Sequence, residues 1–417
     1  MDWLPAWLVL RMIVGLGMMC QYMVIESWLN EQADAKQRGL LVLAAGIAGV
    51  FGWSGDVLLL PIAVAFPVLW SHARTRLMAA IVASAYFLAT SRGLPQGAAN
   101  YYTTDLLAGV MLWLCACISF VSVHTVAWTQ HSTQRPVRYL TAMILTGVPP
   151  FGITGWAHPV TAAGVLFPGW GWWGLLAMTA GLAGLVTRLW PAVAMALAGF
   201  WLWSAASWTA PALPDRWHGV DLKLGASLGR DASLRRHREL IAMVKAAAPD
   251  GKGIVVLPEA ALGLWTPTTE RAWMEGLQGT SLVVVAGAAI VDPGGYDNVL
   301  IEASAARGAV IYRERMPVPG SMWQPWRAWS GARDSAHAHF FANPVVAVGS
   351  HRVAPLICYE QLIVWPVLQS MLHDPDLIVA VGNGWWTDGT AIVATQRANT
   401  IAWARLFSKP LVFSFNT

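Results

Sequence analysis

Two residues closing apolar, strand-like runs could make a nucleophile and its base. Cys358 ends the run Pro355-Leu356-Ile357 and is followed by Tyr359-Glu360; no other cysteine lies in the C-terminal half, so it has no disulfide partner there. Glu259 ends a second run, Gly253-Ile254-Val255-Val256-Leu257-Pro258. A thiol attacks an acyl carbon as its thiolate and needs a base in reach, which a carboxylate on a second strand end can supply. Alone, a single cysteine is more often a small buried hydrophobe, so the pairing carries the idea.

The surrounding pattern must bring those strand ends together. From about 218 to 417 short apolar runs alternate with helical patterns. Strands are expected at Val220 to Leu228, Ile254 to Leu257, Ser281 to Val291, Asp376 to Val381 and Leu411 to Phe415. A hairpin is expected from Asn298 to Ser304 and Ala309 to Arg315, and two strands between Pro344 and Ile357. Helices fit Asp231 to Ala248 with Asp231 as N-cap, Arg271 to Leu277, Val364 to Leu372 and Ala391 to Phe407. This is an α/β domain with a mixed sheet, or paired sheets, covered by helices.

Residues 1–210 read differently. The chain is 56% hydrophobic and only 12% charged, against about 25% charged in soluble domains, and its longest apolar stretches lie here. They suggest a polytopic α-helical membrane domain with about eight spans, at 4–25, 39–53, 56–71, 77–91, 105–127, 138–156, 170–187 and 190–209. Reading 39–71 as one tilted helix gives about seven instead. Lys36, Arg38, Arg74, Arg76, Arg135, Arg138 and Arg188 fall in alternate loops of the longer count, which favours it and puts the C-terminal domain outside the cytoplasm. The first stretch lacks the basic start and small-residue cleavage site of a signal peptide. The net charge of +4 is explained by those loops, and no nucleic-acid partner is expected.

The C-terminal half resembles the carbon–nitrogen hydrolase (nitrilase) superfamily, and the chain from about residue 39 to its end resembles the membrane branch, the apolipoprotein N-acyltransferases. Leu257-Pro258-Glu259 is similar to the base motif and Ile357-Cys358-Tyr359-Glu360 to the nucleophile motif. Tyr312 through Val318-Pro319-Gly320 is similar to the central segment. Asn383-Gly384-Trp385-Trp386 and Gln396-Arg397-Ala398-Asn399 are similar to the strand and helix that come after the nucleophile. More narrowly, the chain resembles an acyltransferase-like type from conjugal-transfer regions. The resemblance implies an αββα sandwich in which Glu259 takes the thiol proton, Cys358 attacks an acyl carbonyl and a lysine steadies the oxyanion. Tyr359, Glu360 and Trp385 are then expected substrate contacts. It implies no cofactor, and as partners membrane lipids and a lipoprotein or conjugation-apparatus component.

At the lysine position this sequence has Glu314. Arg313 and Arg315 flank it, but alternation along a strand points both away from Glu314's side unless the register slips by one. A carboxylate there disfavours the thiolate and raises a neighbouring carboxyl's pKa. Two readings stay open: a cysteine acyltransferase or amidase, and a catalytically inactive relative that binds a lipid, lipoprotein or pilus component. Trp323, Trp326 and Arg327 form either an ordinary packed loop or a lid over the cleft at the membrane interface. His337 and His339 have no third ligand nearby in sequence, so solvated loop histidines rather than a metal site are expected. The run ending at Thr417 leaves the last strand with an edge to be covered.

Overall fold

The computed structural model describes residues 35–225, 234–331 and 334–417; the stretch at 4–25 and the expected N-cap Asp231 lie outside them. Its first half is helical: α1 (Ala35–Gly52), a 3-10 segment (Val57–Val64) running into α2 (Ala65–Ser71), α3 (Arg76–Thr90), α4 (Leu94–Tyr102), α5 (Leu106–Ala127), α6 (Arg135–Gly147), α7 (Ala163–Leu166), α8 (Gly171–Leu185) and α9 (Trp190–Ala206). Among the described residues α5 alone is long and apolar enough to cross a membrane; α3 and α4 qualify together but meet at a 50° bend. The stretches 37–52, 57–71, 171–185 and 190–206 are apolar but shorter.

The stretch 39–71 is two elements. Asp56 caps the second, accepting the Leu58 N–H at 2.9 Å, and the hairpin is tight because Gly52 has no side chain: a Cβ there would stand 3.0 Å from the Ala63 nitrogen. The expected span at 138–156 is cut short. α6 ends at Gly147, where Val148 turns extended before two prolines.

The second half is the expected αββα sandwich. One sheet runs in chain order β1 (Trp217–Gly219), β2 (Lys252–Val256), β3 (Ser281–Asp292), β4 (Gly295–Ala303) and β5 (Gly308–Arg313), parallel through β3 and antiparallel after it. The other runs β6 (Val346–Val348), β7 (His351–Ile357), β8 (Leu377–Asn383) and β9 (Leu411–Asn416), parallel except between β6 and β7. Alternate residues such as Val256, Val285, Leu300 and Tyr312 meet Val353, Ile357, Val379 and Val412 between the sheets. Helices α10 (Leu234–Ala247) and α11 (Pro267–Gly276) cover the first sheet. Helices α12 (Val364–Met371) and α13 (Ile392–Leu406) cover the second, and their far sides merge into one apolar core with the N-terminal helices. That junction is close: a Cβ on Gly164 would meet the Ala402 carbonyl oxygen at 1.7 Å.

The first strand lies earlier than the pattern at Val220 to Leu228 suggests. β1 stops at Gly219, where a Cβ would stand 2.0 Å from the Phe413 carbonyl oxygen. Lacking one, the chain crosses there to the other sheet. The Leu222 N–H then donates to the Phe415 carbonyl (2.8 Å) and the Thr417 N–H to Leu222 (3.0 Å), so the outer edge of β9 is covered.

Candidate active site

Cys358 follows β7 directly and opens a short 3-10 turn, Cys358–Gln361, with a φ of +44°. A side chain rarely accepts that conformation, and such strain concentrates where a residue must be presented to a site. The turn is held by Glu360. Its Oε2 accepts the Ile357 N–H (2.8 Å), while Oε1 accepts the Tyr312 hydroxyl (2.6 Å) and the Arg315 N–H (2.7 Å). Gln396 on α13 donates to the Cys358 carbonyl at 3.0 Å and lies 3.7 Å from its Sγ.

Glu259 reaches the same place from the end of β2. The turn after it fits against β3 because residue 287 is glycine: a Cβ there would stand 2.5 Å from the Glu259 Cα. The Glu259 carboxyl faces the Cys358 thiol; its Oε2 has no hydrogen-bond partner among the described residues, and its Oε1 accepts from Asn298 Nδ2 at 2.8 Å. Burial pushes Glu259 up to about 7, against the pull of Asn298 and Cys358. Burial, then the charges of Glu259 and Glu314, push the Cys358 thiol well above its ordinary value, although the Asn383 backbone N–H works the other way. The resting pair is therefore a thiol beside a carboxyl, not a preformed thiolate.

Glu314 takes the literal register. It lies opposite Asn298, donating its N–H to the Asn298 carbonyl (2.9 Å), and its buried Oε2 accepts from Asn298 Nδ2 at 2.8 Å. Glu314 lies just past the end of β5, and its two neighbours point elsewhere. Arg313 pairs with Asp297, and Arg315 is buried away from the thiol, bonded to Tyr312, Pro366, Gln369, Ser370 and Pro355. Neither arginine replaces the lysine.

A cavity of about 450 Å³ opens over Cys358, Glu259 and Asn298. Its other wall comes from the N-terminal half: Leu94, Ala98, Tyr101, Tyr102 and Leu112. α4 is docked there by Asn100, which donates to the carbonyls of Trp386 (3.0 Å) and Asp388 (3.2 Å), and Tyr101 stacks on Trp385 at 5.8 Å. No lysine or arginine lines this cavity among the described residues.

Of the expected substrate contacts, Trp385 lines the cavity; the others are placed elsewhere. Tyr359 points back to the helices, its hydroxyl bonded to the carbonyls of Ile153 (3.0 Å) and Gly155 (3.3 Å). Glu360 is wholly occupied in holding the turn. Trp323 packs on Phe340 beside Trp365. Trp326 is exposed on the 3-10 turn Pro325–Ser330, and Arg327 pairs with Asp334, which does line the cavity. His337 and His339 are partly exposed loop residues, as expected, but both also bond the buried Asp297 of β4, at 3.2 and 2.7 Å, a partner remote in sequence. Sequence reading missed Asn298. Its one signal was its place opposite Glu314 in the hairpin.

The carbon–nitrogen hydrolase family matches residues 88–405, spanning the sandwich up to the end of α13, short of β9, and the helices that wall the cavity. A probable conjugal transfer protein TraB from Sinorhizobium fredii is 68% identical over 92% of this chain and 99% of its own length. A conjugal transfer protein TraB from Agrobacterium fabrum is 58% identical over 92% of this chain and 94% of its own. A solved carbon–nitrogen hydrolase from Helicobacter pylori G27 is 12% identical with a TM-score of 0.34, over 48% of this chain and 72% of that one, too distant to add to the case. On the family match and the two close relatives, the chain belongs to the carbon–nitrogen hydrolase family and, within it, to the conjugal transfer TraB type.

Proposed function

We propose that this protein is a membrane-embedded acyltransferase or amidase of a conjugation system, with Cys358 as nucleophile and Glu259 as base. The observation that carries the reading is Cys358 at positive φ, against the Glu259 carboxyl, at the floor of a cavity walled jointly by both halves. Sulfur attacks the acyl carbon as its proton passes to Glu259, and the carbonyl π pair moves to oxygen. When that pair returns, the bond to the leaving group breaks and Glu259 returns the proton to it, leaving a thioester on Cys358. An amine acceptor or water then attacks the thioester, giving its proton to Glu259, and the departing sulfur takes it back.

Residues 1–210 form the membrane domain in this reading, with about eight spans expected from the apolar pattern, and residues 218–417 form the extracytoplasmic domain. Alternate basic loops support that orientation, and the names of the close relatives support a role in conjugation. A lipid acyl chain is the substrate that best suits a cavity whose lining is chiefly apolar and includes Leu94, Leu112, Val318 and Trp385. The partners are then membrane lipids and a lipoprotein or component of the conjugation apparatus.

The test is intact mass of the purified chain after incubation with a phospholipid acyl donor. An adduct of acyl mass that is lost in Cys358→Ala, with the fold unchanged, supports the enzyme. A second reading, an inactive scaffold that binds its ligand in the same cavity, is favoured by Glu314 standing in the lysine position. No adduct in the wild type, but one restored by Glu314→Lys, would establish it.

A further inference from the structure

Glu314 has no task in the acyl-transfer steps, yet it is built into the site. Its carboxyl is fully buried; Oε2 accepts from Asn298 Nδ2, and Oε1 has no partner among the described residues. The same nitrogen donates to Glu259 Oε1, each contact 2.8 Å long. A side-chain amide has two N–H groups, so both are used, one on each acid. Two carboxyl groups held on one amide in a buried site do not both ionise at modest cost. The pair therefore retains a proton.

The deeper member keeps it. Glu314 does not line the cavity and Glu259 does. Burial first, then the charges of Glu259 and Glu360, raise Glu314 well above the carboxylate range, whereas Glu259 reaches about 7. We propose that Asn298 and Glu314 are a positioning pair replacing the family lysine: Glu314 is held as a neutral acid, and Asn298, anchored on it, turns Glu259 toward Cys358. This rests on the reading of Cys358 as nucleophile. A lysine would hold Glu259 by direct donation. Glu314 makes no hydrogen bond to Glu259, its Oε2 accepting from Asn298 and its Oε1 having no partner among the described residues, and the intervening amide supplies the donor.

The titratable groups facing Glu314 are few. Glu259 and Cys358 lie across the site. Glu360 is already engaged by Arg315, Tyr312 and backbone N–H groups. Asp297, Arg313, His337 and His339 form their own cluster on the opposite face of β4 from Asn298.

Infrared spectroscopy and adduct formation on the full chain test the proposal. Well above the Glu259 value of about 7, where Glu259 is ionised, the wild type should still show the carbonyl stretch of a protonated carboxylic acid, lost in Glu314→Gln. Adduct formation with a p-nitrophenyl acyl ester should rise with pH through about 7, the value for Glu259, and fall again as Glu314 ionises. Glu314→Gln, which can still accept from Asn298, should keep the rise and lose the fall. Asn298→Ala should lower the rate by about tenfold or more, because a misplaced base forfeits much of its ~10²–10⁴-fold contribution; Asn298→Ser serves if the alanine variant fails to fold. The proposal is overturned if Glu314→Gln removes no acid band, or if it abolishes adduct formation. If the wild type forms no adduct at any pH, the nucleophile reading fails, and the acid band alone still decides the state of Glu314.

Discussion

Replacing Arg315 with methionine should cost more stability than almost any other single change in the C-terminal half. The Arg315 side chain is fully buried, 3.7 Å from Glu360 Oε1. Nε donates to the Tyr312 hydroxyl (2.9 Å); Nη1 donates to the Pro366 carbonyl (2.9 Å), Gln369 Oε1 (3.1 Å) and Ser370 Oγ (3.1 Å); Nη2 donates to the Pro355 carbonyl (3.1 Å). Methionine fills a similar space and makes none of these bonds. Removing one partner of a buried ion pair strands the other, which typically costs about 3–5 kcal/mol. In a domain of this size each kcal/mol moves the melting midpoint by roughly 2–4 °C, so a fall of roughly 6–20 °C is expected. Adding Glu360→Gln removes the stranded charge and should recover a large part of the loss, because residues in direct contact are not additive. The assay is thermal unfolding of the detergent-solubilised chain at one fixed heating rate. A single variant melting within about 2 °C of the wild type, or a double variant no better than the single one, would refute the assignment of Arg315 as the structural partner of the Cys358 turn.

Three further outcomes are expected from the same geometry. Glu259 is lifted from 4.5 to about 7 in the folded chain, so its stabilising contribution is complete below pH 4.5 and is lost as pH rises through 7. Adduct formation needs its ionised form and should gain over the same window, so melting and labelling followed from pH 5 to pH 8 should run in opposite directions. Gly287→Ala puts a Cβ 2.5 Å from the Glu259 Cα; it should displace the base and cut labelling of Cys358 by an acyl ester about tenfold or more, and equal labelling would mean the turn yields freely. Gly164→Ala meets the Ala402 carbonyl oxygen at 1.7 Å; overpacking of that kind costs about 1–3 kcal/mol, read as earlier melting together with easier proteolytic separation of the two halves.

Periodicity and motif spacing made much of the fold legible. Strand–helix alternation placed β2 to β9 within a few residues, because a buried strand or a half-buried helix writes its period into its own segment. The same local rule put Glu314 on the side opposite Arg313 and Arg315; in the structure Glu314 lies just past the end of β5 and bonds Asn298, while Arg313 pairs with Asp297 and Arg315 is buried among Tyr312, Pro366 and Ser370. Cys358 and Glu259 were readable because each ends an apolar run.

Tertiary structure alone decided the contacts between segments remote in the chain. Asn298 bridges two carboxyl groups only because β4 lies between β5, which leads into Glu314, and β3, against which the Glu259 turn packs. Tyr359 and Glu360 come directly after the nucleophile, yet the turn at Cys358 aims them away from the cavity, one at the helices and the other at Arg315. Asp297 gathers His337 and His339 across about forty residues, and α4 supplies a cavity wall from nearly three hundred residues away. A sequence fixes side-chain identity and local period, but which groups share one buried volume depends on chain crossings and close approaches, such as those at Gly219 and Gly287, that no local pattern encodes.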